Sequence, residues 1–238
     1  MTLKSETPIS QLPEAVGWKN TWPFSEEEVS RYEDRGPSWY CNDTKCAEHP
    51  GTDFDAPMYC VAEQHHENHA VDTPPPSPLL DPAELVQATA ENDIDDGLLL
   101  SEDFFRNWEP EQEQILKRAW DLRSTEWCER ATPEEFLNKC AAGNHSPRWD
   151  PATITIPVEE RNFLGVGIKT VGTEAGQAAA QDPILPCHNL MDGANQFVQA
   201  SLCSLNELVA TGAFLVTAPF KIENGPGSPC GVIALVPA

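Results

Sequence analysis

The sequence predicts one α/β domain, a mixed β-sheet with flanking helices. Three observations carry that prediction. Short apolar runs bounded by Gly and Pro recur through the last ninety or so residues and read as strands. Short segments with helix-start chemistry, not long amphipathic helices, sit among them. The chain of 238 residues holds 22 prolines, which cap the length of any continuous helix.

Residues 1–44 are rich in Pro and Trp and lack a clean period. Trp18, Trp22, Phe24, Trp39 and Tyr40 crowd there, more aromatics than a free tail carries. The expectation is an arm packed on a domain of residues 45–238. It either covers the core or lines a substrate pocket, with Trp22 and, further on, Phe54 as contacts. Residues 63–69 hold His65, His66 and His69, readable as a metal tract or as a solvated loop, since neighbouring histidines project in different directions. Thr73–Pro78 is expected to be extended.

Residues 81–95 fit a short helix or strand with an acidic end, followed by a turn at Asn92–Gly97. Ser101 followed by two acids opens a helix. Glu111–Trp127 is undecided between helix and strand. Thr132-Pro-Glu-Glu starts a clearer helix, with a Thr cap, Pro in the first turn and Glu three residues on. Phe163–Gly172 reads as a buried strand running into a Gly turn. His188–Ala200 reads as a small-residue helix passing into a strand, and Ala213–Pro219 and Val232–Val236 as two more strands.

Fifteen Lys and Arg against 38 Asp and Glu give a net charge of −23. Phosphate surfaces repel such a chain, which argues against nucleic-acid and anionic-membrane partners. No run of eighteen apolar residues occurs, so no membrane-spanning helix is expected. The first residues lack the apolar core of a secretory signal, so the expected compartment is the cytoplasm. The eight cysteines form no CxxC pair and are expected to be reduced and mostly buried.

The densest chemistry is Glu48-His-Pro-Gly-Thr-Asp-Phe-Asp-Ala-Pro-Met-Tyr59. His49, Asp53 and Asp55 share parity on an extended chain, and Gly51 permits a bend that brings the imidazole closer. Three such donors on one face can hold a divalent ion and leave positions open for water or substrate. The same spacing also fits an acidic turn in which Asp55 caps backbone amides before Pro57.

This stretch resembles the signature His-x-Gly-Thr-His-x-Asp-x-Pro-x-His of the cyclase family, whose members include bacterial-type kynurenine formamidases and isatin hydrolase. The carboxyl end agrees independently and in order: Leu185-Pro-Cys-His188, Asn206-Glu-Leu208 and Pro219-Phe-Lys-Ile-Glu-Asn-Gly-Pro-Gly-Ser-Pro229. Residues 98–123 resemble the family's middle more loosely. The resemblance covers roughly 45–238. It implies metal ligation by His49, Asp55 and His188, a small-molecule substrate and a homo-oligomer.

The departures carry as much information. Asp53 stands where the family has its second ligand histidine. Tyr59 stands where it has the proton-shuttling histidine. Ala200, twelve residues beyond His188, stands where it has a ligand glutamate. A two-metal site is therefore broken, and at most one divalent ion is expected: Mn, Mg or Zn, with Asp53 hardening the set toward Mn or Mg. Without an ion, Asp53 and Asp55 repel, and one stays protonated as an acid. Tyr59, a phenol of pKa near 10, serves as a hydrogen-bond donor and not as a base. The candidate catalytic residues are Tyr59, His188 and Asp53, with Glu174 as a possible support. Lys221, Gly225, Gly227 and Ser228 read as fold-defining.

Three functions remain open. The main reading is a repurposed enzyme for ring closure, dehydration or isomerisation of a small carbonyl compound. The second is a one-metal hydrolase of an amide or lactone. The third is a non-catalytic binding member of the family.

Overall fold

A computed structural model describes residues 22–61, 69–87, 99–111, 117–125, 127, 130, 132–140, 143–174, 178 and 181–237. His65 and His66 lie outside the described residues.

A mixed sheet forms as expected, and it closes on itself. Seven strands make a barrel: β3 (Asp53–Asp55), β4 (Leu80–Gln87), β6 (Trp120–Ser124), β10 (Gly165–Ile168), β11 (Phe197–Ala200), β12 (Ala213–Pro219) and β13 (Gly227–Leu235). Their order around the barrel is β10-β11-β3-β13-β12-β4-β6. β6 runs parallel to β4 and β10, and β10 parallel to β11; the pairings of β3, β12 and β13 are antiparallel. The barrel is filled by Phe54, Leu85, Trp120, Leu122, Phe197 and Leu215, all buried. Gly165 and Gly167 on β10 leave room for them, since a Cβ on Gly165 would lie 2.6 Å from the Trp120 ring.

Helices pack outside the barrel. The first, α1 (Glu102–Trp108), carries the expected Ser101 cap. The second, α2 (Pro133–Leu137), has the full capping box between Thr132 and Glu135. A third, α3 (Pro151–Thr155), continues into a π-helical turn over Ile156–Glu160. The fourth, α4 (Pro186–Gly193), lays Cys187 and Met191 on Val166, Ile168 and Val198. Short pairs complete the fold: β5 (Leu99–Leu100) with β9 (Arg148–Trp149), and β7 (Lys139–Cys140) with β8 (Gly143–Asn144).

Two expectations need correction, and two open points are filled in. Thr73–Pro78 is not extended throughout, because Pro76 turns helically and Ser77–Leu79 form a 3-10 turn. The undecided stretch resolves into a strand at β6. The described part of the amino-terminal arm is a hairpin of β1 (Ser25–Glu33) and β2 (Gly36–Lys45). Only Ser30 and Gly36 of that hairpin are buried. Of the six cysteines whose side chains are described, Cys187 alone is buried, whereas Cys41, Cys46 and Cys203 are exposed; all six are free thiols. No described helix is long and apolar enough to cross a membrane.

Candidate active site

The site forms on the outer face of β3. Side chains alternate along a strand, so Asp53 and Asp55 point out together while Phe54 between them points into the barrel. His49 lies before the strand and reaches the carboxylates because Gly51 adopts a left-handed φ of 68°. Its Nδ1 sits 3.1 Å from Asp53 Oδ2 and 2.6 Å from Asp55 Oδ1. Gly227 on β13 faces Asp55, and a Cβ there would lie 2.0 Å from His49 Cε1. The imidazole occupies a cradle that any side chain at 227 would fill.

The second group arrives from 129 residues further along the chain. His188, on α4, directs Nε2 to Asp55 Oδ2 at 3.3 Å. Its Nδ1 is 2.8 Å from Glu174 Oε1, which also accepts from the His188 backbone N–H at 2.7 Å. Glu174 thus caps a helix that lacks a side-chain cap of its own and fixes the ring orientation. Tyr59 fits between the two imidazoles, its ring centroid 4.4 Å from His49 and 5.3 Å from His188. At 39% exposure it forms the open edge of a buried cluster.

The electrostatics follow from two carboxylates held side by side out of water. Burial opposes protonation of both histidines, but the carboxylates win. Asp55 and Asp53 lift His49 to about 10. Asp55 and Glu174 lift His188 well above its usual value. Burial and the Asp55 charge push Asp53 up to about 6. Asp55 is driven the other way, below the usual range, because His49 and His188 outweigh its burial. The repulsion expected between the pair shows at Asp53, which is raised but still loses its proton below neutral pH. Burial and Asp55 also raise Tyr59, which keeps it a phenol across the accessible pH range.

A divalent ion fits this donor set. His49, Asp53 and Asp55 each offer a ligand atom, all within 4.8 Å of one another. Asp55 Oδ1 is buried with only the His49 imidazole beside it, so a cation there would take the place of the His49 proton. An ion there would replace the protons that the site otherwise retains.

Not every candidate joins the cluster. Phe54 is fully buried against Trp120 and Phe197, so its ring serves the core and not a substrate. Trp22 is 63% exposed, with the Lys45 ammonium over its ring at 4.3 Å, and makes no contact with the cluster among the described residues. Ala200 pairs with Asp53 on the neighbouring strand and adds no ligand. Gln199 points the other way, toward Thr217.

One residue went unnoticed in the sequence, and another was given a different role. Asp192 lies one turn beyond His188, accepts from the Cys60 backbone N–H at 3.0 Å, and is pushed up to about 8 by burial and Asp55 against the pull of His188. The i, i+4 spacing was its available signal. Gly227 looked like part of a turn, but its role is to make room for His49.

The model of the cyclase family, described as "Putative cyclase", matches residues 3–175. It reaches back through the first forty residues, which the sequence reading left out of the resemblance. The chain is 37% identical over 236 residues to isatin hydrolase of Roseibium aggregatum, covering 99% of this chain and 89% of that protein. It superposes on isatin hydrolase A from Labrenzia aggregata bound to benzyl benzoate with a TM-score of 0.94 at 37% identity, covering 99% and 91% of the two chains. An isatin hydrolase bound to the product analogue thioisatinate gives 0.94 at 36% identity, with 100% and 90% covered. The chain belongs to the cyclase family. Its relatives favour the hydrolase reading over ring closure.

Proposed function

We propose that the protein is a one-metal hydrolase that opens the cyclic amide of a small aromatic ketone, isatin or a close relative. The observation that carries this reading is the convergence of His49, Asp53, Asp55, Tyr59 and His188 in one cluster in a chain similar along its length to isatin hydrolases. Water adds to the ring carbonyl carbon, the carbon–nitrogen bond breaks, and the products are a carboxylate and an arylamine.

At most one divalent ion is held by His49, Asp53 and Asp55, with His188 at the edge of the set. The oxygen-rich donors favour Mn or Mg over Zn. An ion held there would supply Lewis-acid polarisation and a water reactive at neutral pH. Asp53, beside His49 at the edge of the set, is the carboxylate placed to take the proton of the attacking water and return it to the leaving nitrogen. Tyr59 donates a hydrogen bond to the carbonyl oxygen as charge develops there. Glu174 holds His188 in place beside Asp55. We infer further that the protein is cytoplasmic and a homo-oligomer.

Isatin turnover followed by the loss of its visible absorbance, before and after chelation and with each metal restored, tests the reading. Absence of turnover in metal-loaded protein would refute it. Tyr59→Phe keeps the ring and is expected to lower kcat by about 10²–10³.

A further inference from the structure

Tyr59 sits on a turn and not on the strand that carries the carboxylates. Pro57–Tyr59 form a short 3-10 turn after β3, with no side-chain cap at its start. The ring stands at the open edge of the cluster, so packing alone does not fix it. A donor in such a place keeps its aim only if the backbone behind it is held. Backbone hydrogen bonds tie the turn to its surroundings: Ala56 N–H to Pro226 O at 2.9 Å, Met58 N–H to His69 O at 2.8 Å, and Tyr59 N–H to Ala56 O at 2.8 Å. None of these reaches α4, which carries His188.

Asp192 makes that link. Its Oδ2 accepts from the backbone N–H of Cys60, the residue that ends the turn, at 3.0 Å. Asp192 lies four residues after His188 on α4, so the two side chains share one face of the helix. The result is a closed ring of contacts. Tyr59 meets the His188 ring at 5.3 Å between centroids, one turn of α4 leads from His188 to Asp192, and Asp192 returns to the amide next to Tyr59. Asp192 is fully buried, and its Oδ1 has no hydrogen-bond partner among the described residues. A buried carboxyl with one oxygen unsatisfied is costly, and an apolar side chain of that size would pack without that cost.

We propose that Asp192 is a positioning residue: through the Cys60 amide it fixes the Tyr59 turn against α4 and so aims the phenol between His49 and His188. The proposal rests on the donor role given to Tyr59 above and adds what holds that donor in place. Without the Cys60 bond the turn keeps its backbone ties to Pro226 and His69 but is free to shift relative to His188. A shift of about 1 Å in a reacting group is enough to cost on the order of 10²-fold in rate.

The test compares kcat for isatin ring opening in manganese-loaded Asp192→Leu, Asp192→Asn, Tyr59→Phe and the double variant of Asp192→Leu with Tyr59→Phe. Asp192→Leu should lower kcat by about 10–100-fold. Asp192→Asn should stay within about 3-fold of the wild type, because its amide oxygen still accepts from Cys60. The double variant should be no slower than Tyr59→Phe alone, since both changes act through one phenol. Multiplying effects in the double variant, or an Asp192→Asn as slow as Asp192→Leu, would overturn the proposal. Asp192→Ala takes the place of Asp192→Leu if the latter does not fold. Amide hydrogen exchange over residues 56–61, read by mass spectrometry, follows the Cys60 bond without turnover. Exchange there should quicken in Asp192→Leu and not in Asp192→Asn, and unchanged exchange in Asp192→Leu would overturn the proposal. A metal-loaded wild type that does not open isatin would refute the proposed function instead, and the exchange result would still decide whether Asp192 holds the turn.

Discussion

Replacing Gly227 with alanine should disable the metal site by moving one ring. The added Cβ would stand 2.0 Å from His49 Cε1 and 2.7 Å from both ring nitrogens. Carbon–carbon contact needs about 3.5 Å, so the imidazole has to retreat by about 1.5 Å. His49 Nδ1 is 2.6 Å from Asp55 Oδ1 and 3.1 Å from Asp53 Oδ2, and a retreat of that size breaks both contacts. Gly227 lies outside the left-handed region, so alanine is not strained by the backbone and any effect comes from the clash. Overpacking at such a site costs about 1–3 kcal/mol of stability. Displacing a ligand is expected to lower metal affinity by at least ~10–100-fold, as disturbing its support does. Metal content by elemental analysis, metal titration and thermal unfolding read the three effects. Gly231→Ala, four residues along the same strand with nothing within 4 Å of its Cβ, is the control and should be silent. Wild-type metal affinity and turnover in Gly227→Ala would show that His49 is not a ligand.

Three further outcomes follow from the same geometry. Glu174→Gln should lower kcat/KM by about 10–100-fold and shift the pH profile, with partial rescue by Glu174→Asp, because His188 loses the charge that orients it; an unmoved pH profile would leave Glu174 only its capping role. In metal-free protein His49, at about 10, and Asp53, at about 6, both bind their protons more tightly folded than unfolded. Their contribution is full below the unfolded values, is lost from Asp53 as pH rises through about 6 and from His49 as it rises through about 10, so the Tm in chelator should fall between pH 6 and pH 10 while the stabilisation by added Mn grows. Phe54→Ala should cost about 3–5 kcal/mol in denaturant unfolding, since the ring fills the barrel, and a KM effect without loss of stability would place it in the substrate pocket after all.

The legible part of the site was the part written locally. His49, Asp53 and Asp55 fall within seven residues, and strand parity groups the two carboxylates before any tertiary contact is known. The same parity rule excludes Phe54, which has the opposite sign from its neighbours. Reading it as a substrate contact gave weight to adjacency in sequence where alternation decides the face. The hairpin escaped because its usual signal is missing. Its pairing shifts register between Glu28 and Ser30 and again between Arg31 and Glu33, and nearly every residue is exposed on both faces. Apolar alternation arises only when one face of a sheet is buried by its own chain.

Closure of the sheet could not be read locally at all. β3 is three residues long and pairs with β11 and β13, which are about 145 and 174 residues away, so no window of sequence contains the pairing. That pairing is also what makes the site. β11 carries the chain on from α4, and hence from His188, to the edge of β3, while β13 brings Gly227 opposite Asp55. One short strand with its core side filled by Phe54 leaves its two carboxylates nowhere to point but outward, into the gap between α4 and His49. Two buried acids with two imidazoles are stable there only as a shared-proton cluster or around a cation. The chain departs from the family signature at Asp53, Tyr59 and Ala200. Asp53 adds a negative charge to the ligand set and Ala200 removes one, while Tyr59 takes away an imidazole that could have served a base. The resulting site gathers an imidazole and two carboxylates within reach of one divalent ion, with a phenol at its open edge.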